Sequence, residues 1–283
     1  MTLPDPRTHA YRPDLADLSL SGIVEALRYI EPTLRQCVRG IVPLLAAPNA
    51  KAPLVSQIRY GEFIDVFETR NDGYVWVQNR TDRYVGYMPS ENTMSEEIAD
   101  LSSRIGILKT FVYAEPNIKS PVLDTLTLGS YVKPLQQEGK MVALLGGGYV
   151  YADHVLPASE SLTSDYVFTA GRLLHTPYLW GGRSANGIDC SGLVQLALEL
   201  SGRDDCPRDA DQQCETYGKT LPCHWRDVAW KRGDLVFVKG HVGIMTGPDH
   251  IIHASGHHMQ VVVEPLTDFV LGRGNEIAAA GRL

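Results

Sequence analysis

The sequence predicts an α+β protein: two β-rich blocks first, then a mixed domain in which a helix bundle packs on an antiparallel sheet. Three observations lead there. Between Val38 and Met94 short apolar segments alternate with turn residues, the same texture returns between Ile107 and Leu156, and from Ser161 the pattern changes to helices followed by strands. The implied division is an N-terminal arm and helix at 1–36, a small barrel at 37–100, a second at 101–158 and the mixed domain at 159–283.

In the arm, Leu20, Ile23, Val24 and Leu27 recur at helical spacing within 18–28, which predicts a helix closed by Pro32. The first block reads IVPLLAA, LVSQIRY, EFIDVFETR, YVWVQNR and RYVGYMP, parted by Pro48-Asn49, Tyr60-Gly61, Asn71-Asp72-Gly73 and Thr81-Asp82. Short strands at this spacing form small barrels. The second block, LKTFVYAEP, PVLDTLTLGSYV and MVALLGGGYVYADHVLP, repeats that order, with Leu128-Gly129 in the place of Tyr60-Gly61.

In the mixed domain, Val167, Ala170, Leu173 and Leu174 mark a helix ended by Pro177. A loop with Gly181, Gly182 and Gly187 then delivers Cys190 onto the first turn of a helix whose apolar face is Leu193, Val194, Leu196, Ala197 and Leu200, stopped by Gly202. An Asp-rich connection follows, then the strands LVFV, HVGIM, HIIHAS and MQVVVEPL, turning at Lys239-Gly240 and Gly247-Pro248. Asp234 reads as a turn residue fixing the first of these.

Composition narrows the function. Over 283 residues the formal charge is −7 and Lys and Arg are not clustered, so neither nucleic acid nor a membrane surface is an expected partner. The polar, Pro-rich first 20 residues lack the apolar run of a secretory signal, and a cytoplasmic location is expected. Five cysteines, an odd count, fit a reducing compartment better than a disulfide framework. Cys206, Cys214, Cys223 and His224 lie close in sequence without a CxxC pair, so no metal and no cofactor is expected.

A cysteine at a helix N-terminus is placed where the macrodipole favours thiolate, the nucleophilic form. It needs a base, and the base needs a group to hold its tautomer. If HVGIM and HIIHAS pair around Gly247-Pro248, His241 and His253 come to one end of the sheet on adjacent strands. His250, His257 and His258 are rivals. His241 is favoured because a polar side chain opens an otherwise apolar strand.

GIDCSGLVQ, RGDLVFVKGHVGIM and HIIHAS, in this order, resemble the NlpC-type papain-like cysteine peptidases of bacterial cell-wall peptides. YGE at 60–62 and DRYVGY at 82–87 resemble the bacterial SH3-like domains that accompany them. The resemblance implies Cys190 as nucleophile, His241 as base, His253 as orienter, and Tyr178 as a donor to the oxyanion beside the Cys190 N–H. It implies Asp189 and Ser191 as substrate contacts, Asp189 towards the free amine of an N-terminal L-alanine. Arg208 and Asp209 would lie near the diamino acid. Tyr84 or Tyr87, with an acid such as Glu62, would wall the amine pocket from the first barrel, and the barrels would form a lid over one end of the cleft.

The reaction so implied is hydrolysis of the D-γ-glutamyl–diamino acid bond of murein tripeptides and tetrapeptides during muropeptide recycling, with meso-diaminopimelate or lysine as the diamino acid. The same residues serve an amidase or acyltransferase on this core, and a non-catalytic module binding wall peptides is the third reading.

Overall fold

Period-two alternation governs the N-terminal half. In the computed structural model, which describes residues 3–91, 93–97, 99–221, 224–272 and 274–283, the chain divides into two units, Met1–Glu160 and Ser161–Leu283. In the first, strands Ile41–Leu45, Leu54–Arg59, Phe63–Thr69, Tyr74–Asn79 and Val85–Pro89 occupy the five predicted segments of the first block. Thr33–Cys37 and Met94–Ser95 join them in a seven-stranded antiparallel sheet. Alternate residues such as Val42, Leu44, Ile58, Ile64, Val75 and Val77 fill its core.

Residues 103–157 carry the same order of parts in a five-stranded and a three-stranded sheet around Ile105, Leu126, Val132 and Val150. The repeat extends to the turns. The Gly61 N–H bonds to the Cys37 carbonyl and the Gly129 N–H to the Ile105 carbonyl, both at 2.9 Å, with φ of 85° and 83°.

The helix predicted at 18–28 is absent. Only Leu18–Leu20 makes a 3-10 turn, capped by the Asp17 side chain on the Ser19 N–H, and Gly22 then turns the chain at φ 80°. Leu20 and Val24 are buried with Ala16, but Ile23 and Leu27 face solvent, so the helical spacing did not mark one buried face.

The second unit holds helices α1 (Tyr166–Arg172), α2 (Cys190–Glu199), α3 (Ala210–Tyr217) and α4 (Leu266–Leu271). Its strands are β1 (Leu235–Val238), β2 (His241–Met245), β3 (His250–Ser255), β4 (Gln260–Pro265) and β5 (Ile277–Gly281), antiparallel in the order β4-β3-β2-β1-β5. The predicted helix bundle does not form, because the helices are short and only α2 is buried along its whole length. A helix apolar all round belongs inside, and α2 lies between α1 and the sheet, against β2 and β3. Its two long polar side chains have partners there: Gln195 donates to the Cys206 carbonyl at 3.2 Å, and Glu199 meets Arg183 at 3.7 Å. The sheet gains β5 beyond the last predicted strand. No helix among the described residues is long and apolar enough to cross a membrane.

Candidate active site

The start of α2 is fixed by one carboxylate. Asp189 is the N-cap, and its Oδ1 accepts from the Gly192 N–H at 2.7 Å, from the Ser191 hydroxyl at 3.3 Å and from Arg208 Nη1 at 3.0 Å. Its Oδ2 accepts from the Gly181 N–H at 2.9 Å and Arg208 Nη2 at 2.7 Å. Arg208 also donates to the Ser191 hydroxyl at 3.0 Å and the Gly182 carbonyl at 3.3 Å. Loop and helix touch through backbone: a Cβ on Gly192 would lie 2.3 Å from the Gly182 carbonyl oxygen, so only glycine fits.

These contacts correct two expectations. Asp189 was predicted to meet a substrate amine, yet five donors already surround its oxygens, about the capacity of a carboxylate. Arg208 was predicted beside the diamino acid but is 1 % exposed, bonded beneath the nucleophile. Ser191 is buried in the same network. Asp209 is half-buried at the N-cap of α3.

Cys190 occupies the first position of α2, as the helical pattern predicts, and the nearby backbone amides of Val242 and Ser191 act to lower its thiol pKa. Val242 follows His241, so the β2 strand brings thiol and imidazole to one place. Burial, then the Asp189 charge, pushes the Cys190 thiol up to about 12. Burial thus opposes the thiolate that the helix terminus favours, and attack calls for a base.

The two histidines meet through the hairpin. Ile244 pairs with Ile252 and Met245 with Ile251, a register that continues to place Gly243 opposite His253, with His241 diagonal on the same face. A side chain on Gly243 would press on His253 Cβ, at 3.2 Å, and Ile251. With that space open, His241 Nε2 and His253 Nδ1 bond at 2.8 Å. His253 Nε2 reaches Glu264 Oε1 on β4 at 2.7 Å, and the Phe269 ring of α4 covers both imidazoles at 5.8 and 5.0 Å.

Glu264 and Phe269 escaped the sequence reading. The signal for Glu264 was a charged residue near the end of VVVEP, one diagonal step from His253 once the second hairpin is in register. Of the rival histidines, His250 is exposed and bonds Asp249, while His258 approaches the second Glu264 oxygen at 3.5 Å and meets the His257 ring edge-on.

Tyr178 is half-buried, bridged to Ile188 and held by its N–H on the Met259 carbonyl. Burial, and then the nearby Cys190 charge, pushes its phenol up, so it stays a proton donor. Asp234 accepts from the Lys231 N–H at 2.8 Å and pairs with Arg282, holding the turn before β1. Cys206 is buried and Cys214 lies on α3, while Cys223 falls outside the described residues. Among the described residues no three His, Cys, Asp or Glu side chains gather to hold a metal ion.

The first-unit candidates have their own settings. Glu62 is fully buried against Arg59 at 2.9 Å and accepts from the Arg59 N–H at 2.8 Å, closing its own turn; it is not a surface carboxylate for an amine. Tyr84 packs in the sheet core, so its ring is not a pocket wall. Tyr87 is half-buried and its hydroxyl accepts from Arg12 Nη1 at 2.9 Å.

Residues 175–270, which hold Cys190, His241 and His253, match the NlpC/P60 family. This chain carries an NlpC/P60 domain. Residues 44–92 match the bacterial dipeptidyl-peptidase SH3 domain, so an SH3 domain precedes it. Dipeptidyl-peptidase 6 of Lysinibacillus sphaericus is 29 % identical over 247 residues, covering 80 % of this chain and 89 % of that protein. Gamma-D-glutamyl-L-lysine dipeptidyl-peptidase of Bacillus subtilis (strain 168) is 29 % identical over 170 residues, 56 % of this chain and 55 % of that protein. An NlpC/P60 family protein from Bacillus cereus ATCC 10987 has the same fold at a TM-score of 0.71 and 19 % identity, covering 88 % of this chain and 99 % of that one. The papain-like α+β fold this chain shares with that solved protein is mostly sheet with few helices.

Proposed function

We propose that this chain is a cysteine endopeptidase that hydrolyses the D-γ-glutamyl–diamino acid bond of murein stem peptides bearing a free N-terminal L-alanine. The observation that carries the reading is the hydrogen-bonded row His241–His253–Glu264 on the sheet that packs against α2, the helix headed by Cys190. The bond class comes from the relatives named gamma-D-glutamyl-L-lysine dipeptidyl-peptidase.

The chemistry follows from the groups present. His241 Nδ1 takes the Cys190 proton as sulfur attacks the γ-glutamyl carbonyl carbon, since burial disfavours a free thiolate. The negative oxygen so formed accepts from the Cys190 N–H, one of the unpaired donors of the helix start, and from the Tyr178 phenol. His241 returns its proton to the leaving amine as the C–N bond breaks, and water, activated by the same imidazole, frees the dipeptide from sulfur.

The free-amine requirement comes from the relatives named dipeptidyl-peptidase, since a dipeptide is released from a free N-terminus. The cytoplasmic recycling setting is part of the same proposal, supported by free thiols at Cys37, Cys190, Cys206 and Cys214. Mass spectrometry of products from L-Ala-γ-D-Glu-meso-diaminopimelate, its lysine counterpart, the N-acetylated tripeptide and intact sacculi tests each part. The expected result is L-alanyl-D-glutamate from free peptides only. Equal cutting of the acetylated peptide removes the amine requirement, and faster release from sacculi removes recycling.

A further inference from the structure

We infer that Glu264 is a positioning residue that sets the direction of the hydrogen-bond relay through His253, leaving His241 basic on the side of Cys190. For its substrate this inference rests on the peptidase reading above; the relay itself is read from geometry.

Two imidazoles joined nitrogen to nitrogen are ambiguous, since each ring nitrogen donates or accepts according to tautomer. In one arrangement His241 donates from Nε2 to His253 Nδ1, and His241 Nδ1 carries a lone pair that can receive the thiol proton. In the reverse arrangement His253 donates from Nδ1, His241 carries its proton on Nδ1, and no base faces the thiol. The 2.8 Å contact alone allows both.

Glu264 removes the ambiguity. An ionised carboxylate only accepts, and Glu264 Oε1 stands 2.7 Å from His253 Nε2. In the reverse arrangement an unprotonated Nε2 would face it, two acceptors in contact. With the proton on Nε2, His253 donates to Glu264 and accepts from His241, and every contact in the row is satisfied. The glutamate is held for this: His253 pairs with Val262 and Ile251 with Glu264 across β3 and β4, so Glu264 lies diagonal to His253 on the same face. Its side chain is 11 % exposed, so little water screens it.

Among the described residues the titratable groups at this row include Cys190 from α2, His241 from β2, His253 from β3, Glu264 from β4 and His258 from the connection before β4; α4 contributes the apolar Phe269. In turnover the thiol proton moves to His241 Nδ1 and from there to the leaving amine. No proton need pass to Glu264, whose charge favours the transient imidazolium.

The test is Glu264→Gln, which keeps the shape, removes the charge and adds an N–H that can donate to His253 Nε2. On the tripeptide, kcat is expected to fall about 10–100-fold, the range for removing a group that orients a reactive histidine, with KM little changed. The acid limb of kcat/KM moves to lower pH, site-resolved alkylation of Cys190 by iodoacetamide slows in parallel, and the imidazole ¹⁵N signals of His253 change from the Nε2–H to the Nδ1–H tautomer. Glu264→Asp, which keeps a carboxylate, restores the Nε2–H tautomer. An unchanged tautomer, pH limb and alkylation rate in Glu264→Gln would overturn the inference, as would Nδ1–H in the wild-type protein. Alkylation and tautomer need no substrate, so a wild-type protein that cuts no murein peptide defeats the peptidase reading while these readouts still decide the role of Glu264.

Discussion

Arg59 pairs with Glu62 at 2.9 Å in the first unit, and Arg208 pairs with Asp189 at 2.7 Å in the second, both almost wholly withdrawn from water. By distance and burial they are alike. The first joins residues three apart and closes the turn it sits in, with the Arg59 N–H and the Asn79 side chain on the same carboxylate. The second joins residues 19 apart and ties the glycine loop, Ser191 and the first turn of α2 together around Cys190. A buried ion pair is therefore not evidence of function by itself; what it holds in place decides.

Arg208→Met and Arg59→Met should separate the two. Each leaves a buried carboxylate without its cation and should cost about 3–5 kcal/mol of stability, read by denaturant unfolding. Only Arg208→Met should also lower kcat on the tripeptide, by about 100-fold or more, since displacing a nucleophile by about 1 Å suffices for that. An Arg59→Met protein that is folded but equally inactive would break the comparison.

Tyr178→Phe sharpens it from the substrate side. Loss of one oxyanion donor should reduce kcat about 10²–10³-fold with KM little changed, whereas Tyr87→Phe, which removes a hydroxyl bonded to Arg12, should leave kcat within about twofold. Stopped-assay kinetics on the tripeptide distinguish them.

The smallest expected difference is in alkaline stability. Burial raises Cys37 in the first unit from 9.0 to about 12, and in the second it raises Cys190 and Cys206 from 9.0, and Tyr166 from 10.0, to about 12. A group with a raised folded pKa gives up its proton first in the unfolded chain, so its stabilisation is whole below the unfolded value and is lost as pH rises to the folded one. Between pH 9 and 12 the second unit should thus lose stability more steeply than the first. Thermal unfolding followed unit by unit across that range checks it; parallel decline would contradict the assignment.

What was legible in the sequence was local. Alternation with punctuating glycines and prolines marked the five strands of the first block, and a Gly-rich loop before an apolar period marked α2 and placed Cys190 at its start. A single tight turn at Gly247-Pro248 was enough to bring His241 to His253. The arm failed because Leu20 and Val24, one helical turn apart, are buried by a 3-10 turn and a bend. Strand β5 was missed because its alanines carry neither alternation nor β-branching.

The remaining omissions were of partners. Asp189 saturated by Arg208, Glu62 by Arg59 and His253 by Glu264 are facts of pairing between segments, and residue type reveals a charge without revealing where it is spent. Tyr84 fails likewise: its aromatic ring suits a pocket or a core, and the strand's register chose the core.

The most direct test of the central claim compares wild-type protein with Cys190→Ala on L-Ala-γ-D-Glu-meso-diaminopimelate, following diaminopimelate release by mass spectrometry and folding by thermal unfolding. The account predicts release by the wild type and a loss of about 10⁴-fold or more in a variant that still unfolds cooperatively. Release by the folded variant at a rate near wild type would contradict it.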